Sequence, residues 1–106
     1  MAHRDLIVSA HLTIPASELH ISFARSGGPG GQNVNKVASK AIMRWSVRES
    51  RVLSDADRAC LLIGLRSRLT TSGELVILAS SSRDQIRNRE DAADRLVALV
   101  ARALRR

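Results

Sequence analysis

The sequence predicts an α+β domain in which two helices cover one face of a small mixed β-sheet, in the order strand, strand, helix, strand, helix. Two segments in the first half alternate apolar and polar residues with the period of a strand, and two later segments carry apolar residues at the spacing of a helix. A short apolar run lies between those two helices. At 106 residues, the chain has the length of one domain with one modest core.

The first two strands are predicted from alternation. In residues 18–26, the side chains of Leu19, Ile21 and Phe23 share one face, which is typical of a half-buried strand. Residues 39–48 repeat the pattern, and the opposite face of that strand carries mostly basic and polar residues. We therefore expect a sheet with a buried apolar face and a basic outer face.

The remaining extended segments are less regular. Residues 74–79 are apolar at four consecutive positions, so we expect this third strand to be covered on both faces. Residues 6–14, which end before Pro15, mix apolar and polar positions without a clear period. We expect residues 1–17 to form an N-terminal arm that is irregular or contains one short strand.

Both helices have recognisable start signals. Ser54 can cap the free backbone amides of the first helix, and Asp55 and Asp57 favour the positive end of its dipole. Leucines at spacings of three and four then extend this helix to about Leu69. The second helix is expected to begin at about Asn88. Its apolar stripe consists of Ala93, Leu96, Val97, Val100 and Leu104.

The charge of the chain is strongly positive, at +7. Much of the excess positive charge lies in residues 24–53, which contain six basic residues and one acidic residue, Glu49. This composition is typical of a surface that binds nucleic acid, although an arginine-rich solubilising surface has the same composition. Because the charge surrounds a glycine-rich stretch, we favour RNA. Phe23 and Trp45 are the only aromatic residues, so contacts through phosphates are expected instead of base stacking.

Several kinds of site are not expected. The single cysteine, Cys60, excludes an internal disulfide, and its place in an apolar run indicates packing. The three histidines have no metal-ligand spacing, so we expect neither a metal nor a cofactor. No apolar run is long enough to span a membrane, and the N-terminus has no signal-peptide pattern. We therefore expect a cytoplasmic protein.

Residues 27–36 are the most unusual part of the chain and read Gly-Gly-Pro-Gly-Gly-Gln-Asn-Val-Asn-Lys. Their composition predicts an exposed loop with backbone angles that glycine tolerates best. Gln32 does not titrate and so cannot act as a general base. Its amide can position water, and its backbone N–H can stabilise charge that develops on an oxygen. A flexible glycine turn between two strands is the alternative interpretation.

The segment Gly30-Gly31-Gln32, followed by Asn33-Val34-Asn35-Lys36, resembles the GGQ motif of peptide chain release factors and their ribosome-rescue relatives. Further along, Ser82-Arg83-Asp84-Gln85 and Asn88-Arg89-Glu90 resemble the basic segment that precedes the last helix of these factors. The resemblance covers about residues 12–104 and agrees with the predicted order of elements. In length, the chain is most similar to the codon-independent rescue hydrolases of the alternative ribosome-rescue factor B type.

The resemblance implies hydrolysis of the ester between a nascent peptide and the P-site tRNA, in the peptidyl transferase centre of the large ribosomal subunit. Gly30 and Gly31 would shape the loop, and Gln32 would contact the terminal ribose and admit water. The partners would be 23S-type rRNA and P-site peptidyl-tRNA, with no membrane, for a protein that is monomeric off the ribosome in a bacterial cytoplasm. The residues implied to contact RNA are Arg25, Asn35, Lys36, Arg83 and Gln85, whereas Arg44 and Arg48 fit a solvated strand face equally well.

The resemblance also sets the expected extent of the protein. Rescue factors of this type carry a basic tail after the last helix, and this chain ends at Arg106, where the tail would begin. We therefore expect residues 1–106 to be a single GGQ catalytic domain without that tail, and stop-codon recognition is not expected. Two alternatives remain, a non-catalytic rRNA-binding or ribosomal protein and the GGQ domain of a longer release factor. The intact Gly30-Gly31-Gln32 motif favours the hydrolase.

Overall fold

A computed structural model describes residues 4–25 and 39–105, and this part of the chain forms five β-strands and two α-helices. A single 3-10 turn precedes the third strand. The strands are β1 (Leu6–Ser9), β2 (Leu12–Ile14), β3 (Leu19–Ala24), β4 (Lys40–Ser46) and β5 (Glu74–Ala79), and the helices are α1 (Asp55–Gly64) and α2 (Gln85–Leu104).

The strands β3, β4 and β5 form one sheet in that order, and the predicted α+β class with its order of elements is confirmed. The sheet is antiparallel throughout, so the prediction of a mixed sheet is wrong in this detail. The reason is visible in the register, where Ser46 at the end of β4 pairs with Glu74 at the start of β5. Because the chain leaves and re-enters the sheet at the same end, β5 must run against β4.

The core lies between the sheet and α2. Trp45 and Met43 of β4 are fully buried, and their cross-strand neighbours Leu75 and Ile77 lie on the same face. Helix α2 packs across β4 and β5 and presents Leu96, while α1 packs against α2. Removing a buried ring such as that of Trp45 would cost about 3–5 kcal/mol, so this face contributes strongly to stability.

The prediction of an irregular N-terminal arm is wrong, because β1 and β2 pair as an antiparallel hairpin that packs on α2. Leu6, Leu12 and Ile14 of this hairpin are buried in the common core. The pairing register shifts between Ile7 and Ser9. This irregularity breaks the period-2 alternation by which a strand is recognised in a sequence.

The ends of both helices differ from the predicted ones. Helix α1 ends at Gly64, and Leu69 instead forms an isolated β-bridge with Leu75. Leu65 lies in the turn after α1 and Leu69 lies in this bridge. Both pack against the same core, so their helical spacing does not reflect a longer helix. Helix α2 begins three residues before Asn88, because the carboxylate of Asp84 accepts hydrogen bonds from the free amides of its first turn.

The outer face of the sheet is open among the described residues, so the prediction that β5 is covered on both faces is wrong. Its burial alternates, and Leu78 is 50% exposed. The cross-strand neighbour of Leu78 on this face is Ile42. Arg95 of α2 donates from Nη1 to the carbonyl of Leu78 at 2.6 Å, which occupies a hydrogen-bonding group at the edge of the sheet.

The carboxylate of Glu18 joins the start of β3 to the turn after β4. Its Oε1 accepts hydrogen bonds from the indole N–H of Trp45 at 3.0 Å and from the hydroxyl of Ser50 at 2.6 Å. Its Oε2 accepts from the backbone N–H of Arg51 at 2.9 Å. Burial by itself raises the pKa of this carboxyl, but these hydrogen bonds and the positive charge of Arg58 outweigh burial and hold the pKa below its ordinary value of 4.5.

We predict that Glu18→Gln lowers the free energy of unfolding at pH 7 by about 2 kcal/mol, because hydrogen bonds to a charged acceptor are lost. A lowered pKa stabilises the fold while the carboxyl is ionised, so the stability of the parent should fall as pH drops below 4.5 through the folded-state pKa. Urea denaturation at neutral and acidic pH measures both effects. The exposed Glu49→Gln serves as control, and an acid dependence in Glu18→Gln equal to that of the parent would contradict this role.

Candidate functional site

The residues predicted to be catalytic, Gly30, Gly31 and Gln32, lie outside the described residues, as do Asn35 and Lys36. The structure does describe the end of β3 and the start of β4, to which this segment is attached. We refer to these two strand ends as the frame. Ala24, the last residue of β3, pairs with Lys40, the first residue of β4. Both ends of the intervening segment are therefore held at the same end of the sheet, one strand apart.

A buried amide holds this frame to the start of α2. The side chain of Asn88 is fully buried in the first turn of α2. Its Nδ2 donates to the carbonyls of Ser39 at 2.7 Å and Ser82 at 2.8 Å, and its Oδ1 accepts from the backbone N–H of Ser82 at 3.0 Å. The residue before β4 and the loop before α2 are thus joined through one side chain. From the sequence, Asn88 is expected only as the start of the second helix and as part of a basic segment, and this function is not predicted.

The frame places three of the predicted RNA-binding residues at one end of the protein. Arg25 directly follows β3, Arg83 lies beside Ser82 in the loop before α2, and Gln85 opens that helix. Arg25 and Arg83 are exposed, and Gln85 is half-buried. A further exposed arginine, Arg87, is the third residue of α2, and the arginines at positions 83, 87 and 89 of the sequence were the available signal for it.

The charge at this end is not neutralised by ion pairs within the described residues. Asp84 is occupied as the helix cap, and the side chains of Arg25, Arg83 and Arg87 form no ion pair in the part of the chain that the structure describes. Exposed guanidinium groups can form two parallel hydrogen bonds to a phosphate. The arrangement is therefore suited to a polyanionic partner.

Other candidates for chemistry have structural explanations. The thiol of Cys60 donates to the carbonyl of Ala103 at 3.2 Å, between the helices. On the outer strand face, the guanidinium of Arg44 lies 3.8 Å from the carboxylate of Glu74, and Arg48 is exposed. Within residues 4–25 and 39–105, the structure contains no group of three or more His, Cys, Asp or Glu side chains placed to hold a metal.

Residues 8–106 of the sequence match a known family, which is described as the RF-1 domain. The chain belongs to the RF-1 domain family. The prediction from the Gly-Gly-Gln motif, a member of the release factor superfamily, is thereby confirmed. None of the helices in the described part of this RF-1 domain is long and apolar enough to cross a membrane.

Curated relatives of this RF-1 domain come from several kinds of organism. Large ribosomal subunit protein mL62 of Mus musculus is 38% identical over 90 residues, which are 85% of this chain and 44% of the mouse protein. Peptidyl-tRNA hydrolase ArfB of Pseudomonas putida is 38% identical over 98 residues, which are 92% of this chain and 71% of ArfB. The chloroplastic peptide chain release factor PrfB1 of Arabidopsis thaliana is 33% identical over 72 residues, or 68% of this chain and 16% of PrfB1. The chain thus spans less than half of the mouse and plant relatives.

We predict that Asn88→Ala lowers the free energy of unfolding of this RF-1 domain by about 2–4 kcal/mol, because it leaves two carbonyls and one N–H without their partner. Asn88→Asp should be at least as unfavourable, since a carboxylate would face the carbonyls of Ser39 and Ser82. Denaturant unfolding measures the loss, and amide hydrogen exchange should accelerate at Ser82. The exposed Ile86→Ala on the same turn is the control, and a loss below about 0.5 kcal/mol for Asn88→Ala would contradict the role of the amide.

Proposed function

We propose that this chain is a ribosome-dependent, codon-independent peptidyl-tRNA hydrolase that releases nascent peptides from stalled ribosomes. The observation that carries the proposal concerns the segment that contains Gly30-Gly31-Gln32. This segment connects the paired strands β3 and β4, and Asn88 bonds to Ser39 at the end of it that leads into β4. The 38% identity to ArfB, whose name is peptidyl-tRNA hydrolase, over 92% of this chain supports the same reaction.

In the proposed reaction, a water molecule attacks the ester carbonyl that joins the peptide to the terminal ribose of the P-site tRNA. A bond forms from the water oxygen to the carbonyl carbon, the ester bond to the ribose oxygen breaks, and the ribose hydroxyl regains a proton that originates from the water. Gly30 and Gly31 let the backbone approach the ribose closely, and the backbone N–H of Gln32 stabilises the developing charge on oxygen. The side chain of Gln32 positions the water and excludes larger nucleophiles.

The proposed partners are the RNA of the large subunit at the peptidyl transferase centre and the P-site peptidyl-tRNA. Arg25 and Arg83, which the frame places at the end of the sheet that carries the motif, would contact RNA phosphates together with Asn35, Lys36 and Gln85. We further propose that residues 1–106 act as one catalytic domain, monomeric off the ribosome, in the bacterial cytoplasm. The identity to a Pseudomonas protein supports the bacterial assignment.

A second candidate is a component of the ribosome without hydrolase activity. The 38% identity to mL62, which is named as a protein of the large ribosomal subunit, favours this alternative. A third, the GGQ domain of a longer release factor, is favoured by the identity to PrfB1, of which this chain spans only 16%. The hydrolase and the release-factor domain both require that Gln32 affect the release of peptide, whereas a ribosomal component without hydrolase activity does not. Release from ribosomes that have no stop codon is expected of the codon-independent hydrolase alone.

We predict that Gln32→Ala and Gly31→Ala reduce peptide release from stalled ribosomes by about 10²–10³-fold, because the groups that position water and stabilise charge are lost or displaced. The assay uses ribosomes that carry labelled peptidyl-tRNA on an mRNA truncated at the P site. Arg51→Gln, an exposed change outside the motif, should release peptide at the parental rate.

Equal release by the parent, Gln32→Ala and Gly31→Ala would exclude the proposed chemistry and favour a structural ribosomal protein. The same preparations should not hydrolyse peptidyl-tRNA free in solution, because the proposal assigns part of the active site to the ribosome. Efficient ribosome-free turnover would contradict this assignment.

A further inference from the structure

A second group of arginines lies where the ends of the two helices meet. Arg66 and Arg68 occupy the turn that follows α1, and Arg102 and Arg105 lie at the end of α2. All four side chains are exposed. We refer to these four residues as the α1–α2 arginine surface, and the proposed chemistry of the loop makes no use of them.

Close packing of the helices brings two of these arginines, Arg68 and Arg102, to one hollow. A β-carbon on Gly64 would lie 3.3 Å from the β-carbon of Ala103, so α1 and α2 approach closely at this point. Arg68 and Arg102, from different elements, line one hollow of about 260 Å³ whose other walls include Leu65 and Leu99. Arg105 lines a second groove, which shares Gly64 and Ala103 with the first hollow.

The surface has no acidic counterpart in its own segments. Residues 58–73 and 95–105 contain no aspartate or glutamate. Within the described part of the chain, none of the four guanidinium groups forms an ion pair or donates a side-chain hydrogen bond. A helix C-terminus carries roughly half a negative charge, so four arginines at two such ends exceed what the helix dipoles require.

The position of the surface separates it from the candidate catalytic end. Asn88 joins the N-terminal end of α2 to the frame of the glycine-rich segment. Helix α2 then runs for 20 residues, so Arg102 lies about 25 Å along the helix axis from Gln85. A partner that contacts both ends must therefore be large compared with the terminal nucleotide of a tRNA.

We propose that the α1–α2 arginine surface binds the phosphate backbone of ribosomal RNA while the glycine-rich segment occupies the proposed reaction site. This inference rests on the proposed function for the identity of the partner. Arginine forms bidentate hydrogen bonds to phosphate, and a hollow lined by two arginines and two leucines is suited to a phosphate and its sugar. The binding is independent of sequence and depends on salt, as expected for counterion release.

The experiment compares equilibrium binding to stalled ribosomes for the Gln32→Ala protein and for the same protein with Arg66, Arg68 and Arg102 all changed to Gln. Using Gln32→Ala in both keeps the peptidyl-tRNA intact during the measurement. The triple change should weaken binding by about tenfold or more near physiological salt, and it should reduce the slope of log affinity against log salt by about two. The single variants Arg102→Gln and Arg51→Gln each remove one exposed charge and are compared as a matched pair. Only Arg102→Gln should weaken binding to ribosomes.

Each result either supports or overturns the inference. Thermal unfolding should give the same midpoint for all variants, because the changed side chains are exposed and unpaired among the described residues. Parental affinity and salt slope in the triple variant, or equal losses for Arg102→Gln and Arg51→Gln, would overturn the proposed surface. A loss seen with isolated tRNA but not with ribosomes would overturn the assignment to ribosomal RNA.

A release assay separates this inference from the proposed function. With Gln32 intact, the triple variant should need more protein for half-maximal release and reach the parental rate at saturation. If the parent releases no peptide but the triple change weakens ribosome binding, the proposed hydrolysis is contradicted and the proposed RNA-binding surface is supported. If the parent releases peptide and the triple change alters neither ribosome binding nor the protein concentration for half-maximal release, the proposed RNA-binding surface is contradicted and the proposed hydrolysis is supported.

Discussion

The hydrogen bonds of one buried amide hold together the segments that carry the candidate site. Asn88 donates to the carbonyls of Ser39 and Ser82 and accepts from the backbone N–H of Ser82, all from a fully buried position. A buried amide that loses such partners is costly, so the three segments are favoured only in one mutual arrangement. The entry to β4, the loop with Arg83 and the start of α2 therefore form one support for the residues that connect β3 to β4.

The other end of the sheet is also held by side-chain hydrogen bonds, which here involve charged groups instead of an amide. Arg58 of α1 donates to the carbonyls of Val47, Arg48 and Leu53 at 2.8, 3.0 and 3.2 Å. Glu18 accepts from Trp45, Ser50 and Arg51 and so joins β3 to the same turn. The guanidinium of Arg58 and the carboxylate of Glu18 are thus satisfied by backbone and neighbouring groups, which offsets the cost of burying part of each charge.

The features that could be predicted from the sequence are those set by neighbours along the chain. The alternation in β3 and β4 predicted which face is buried, and the paired residues Leu19 and Trp45 both lie on that face. The Gly-Gly-Gln motif predicted the RF-1 domain family, although the geometry of Gln32 lies outside the described residues. The contacts that support the site could not be predicted in this way. Asn88 and Ser39 are 49 residues apart, and no local pattern marks an asparagine as the partner of a distant carbonyl.

The buried polar side chains of the described residues support the fold. Among the described residues, the buried polar side chains of Ser39, Ser50 and Asn88 belong to the framework, and the Glu18 carboxylate is held ionised by its hydrogen bonds. If the chain hydrolyses peptidyl-tRNA as proposed, the reaction would depend on placement by this frame, with water and further catalytic groups supplied by the partner. Placement requires that the orientation of the domain be fixed, and one contact at the loop leaves rotation about that point. Contacts to RNA at two ends of α2, about 25 Å apart, would remove this freedom.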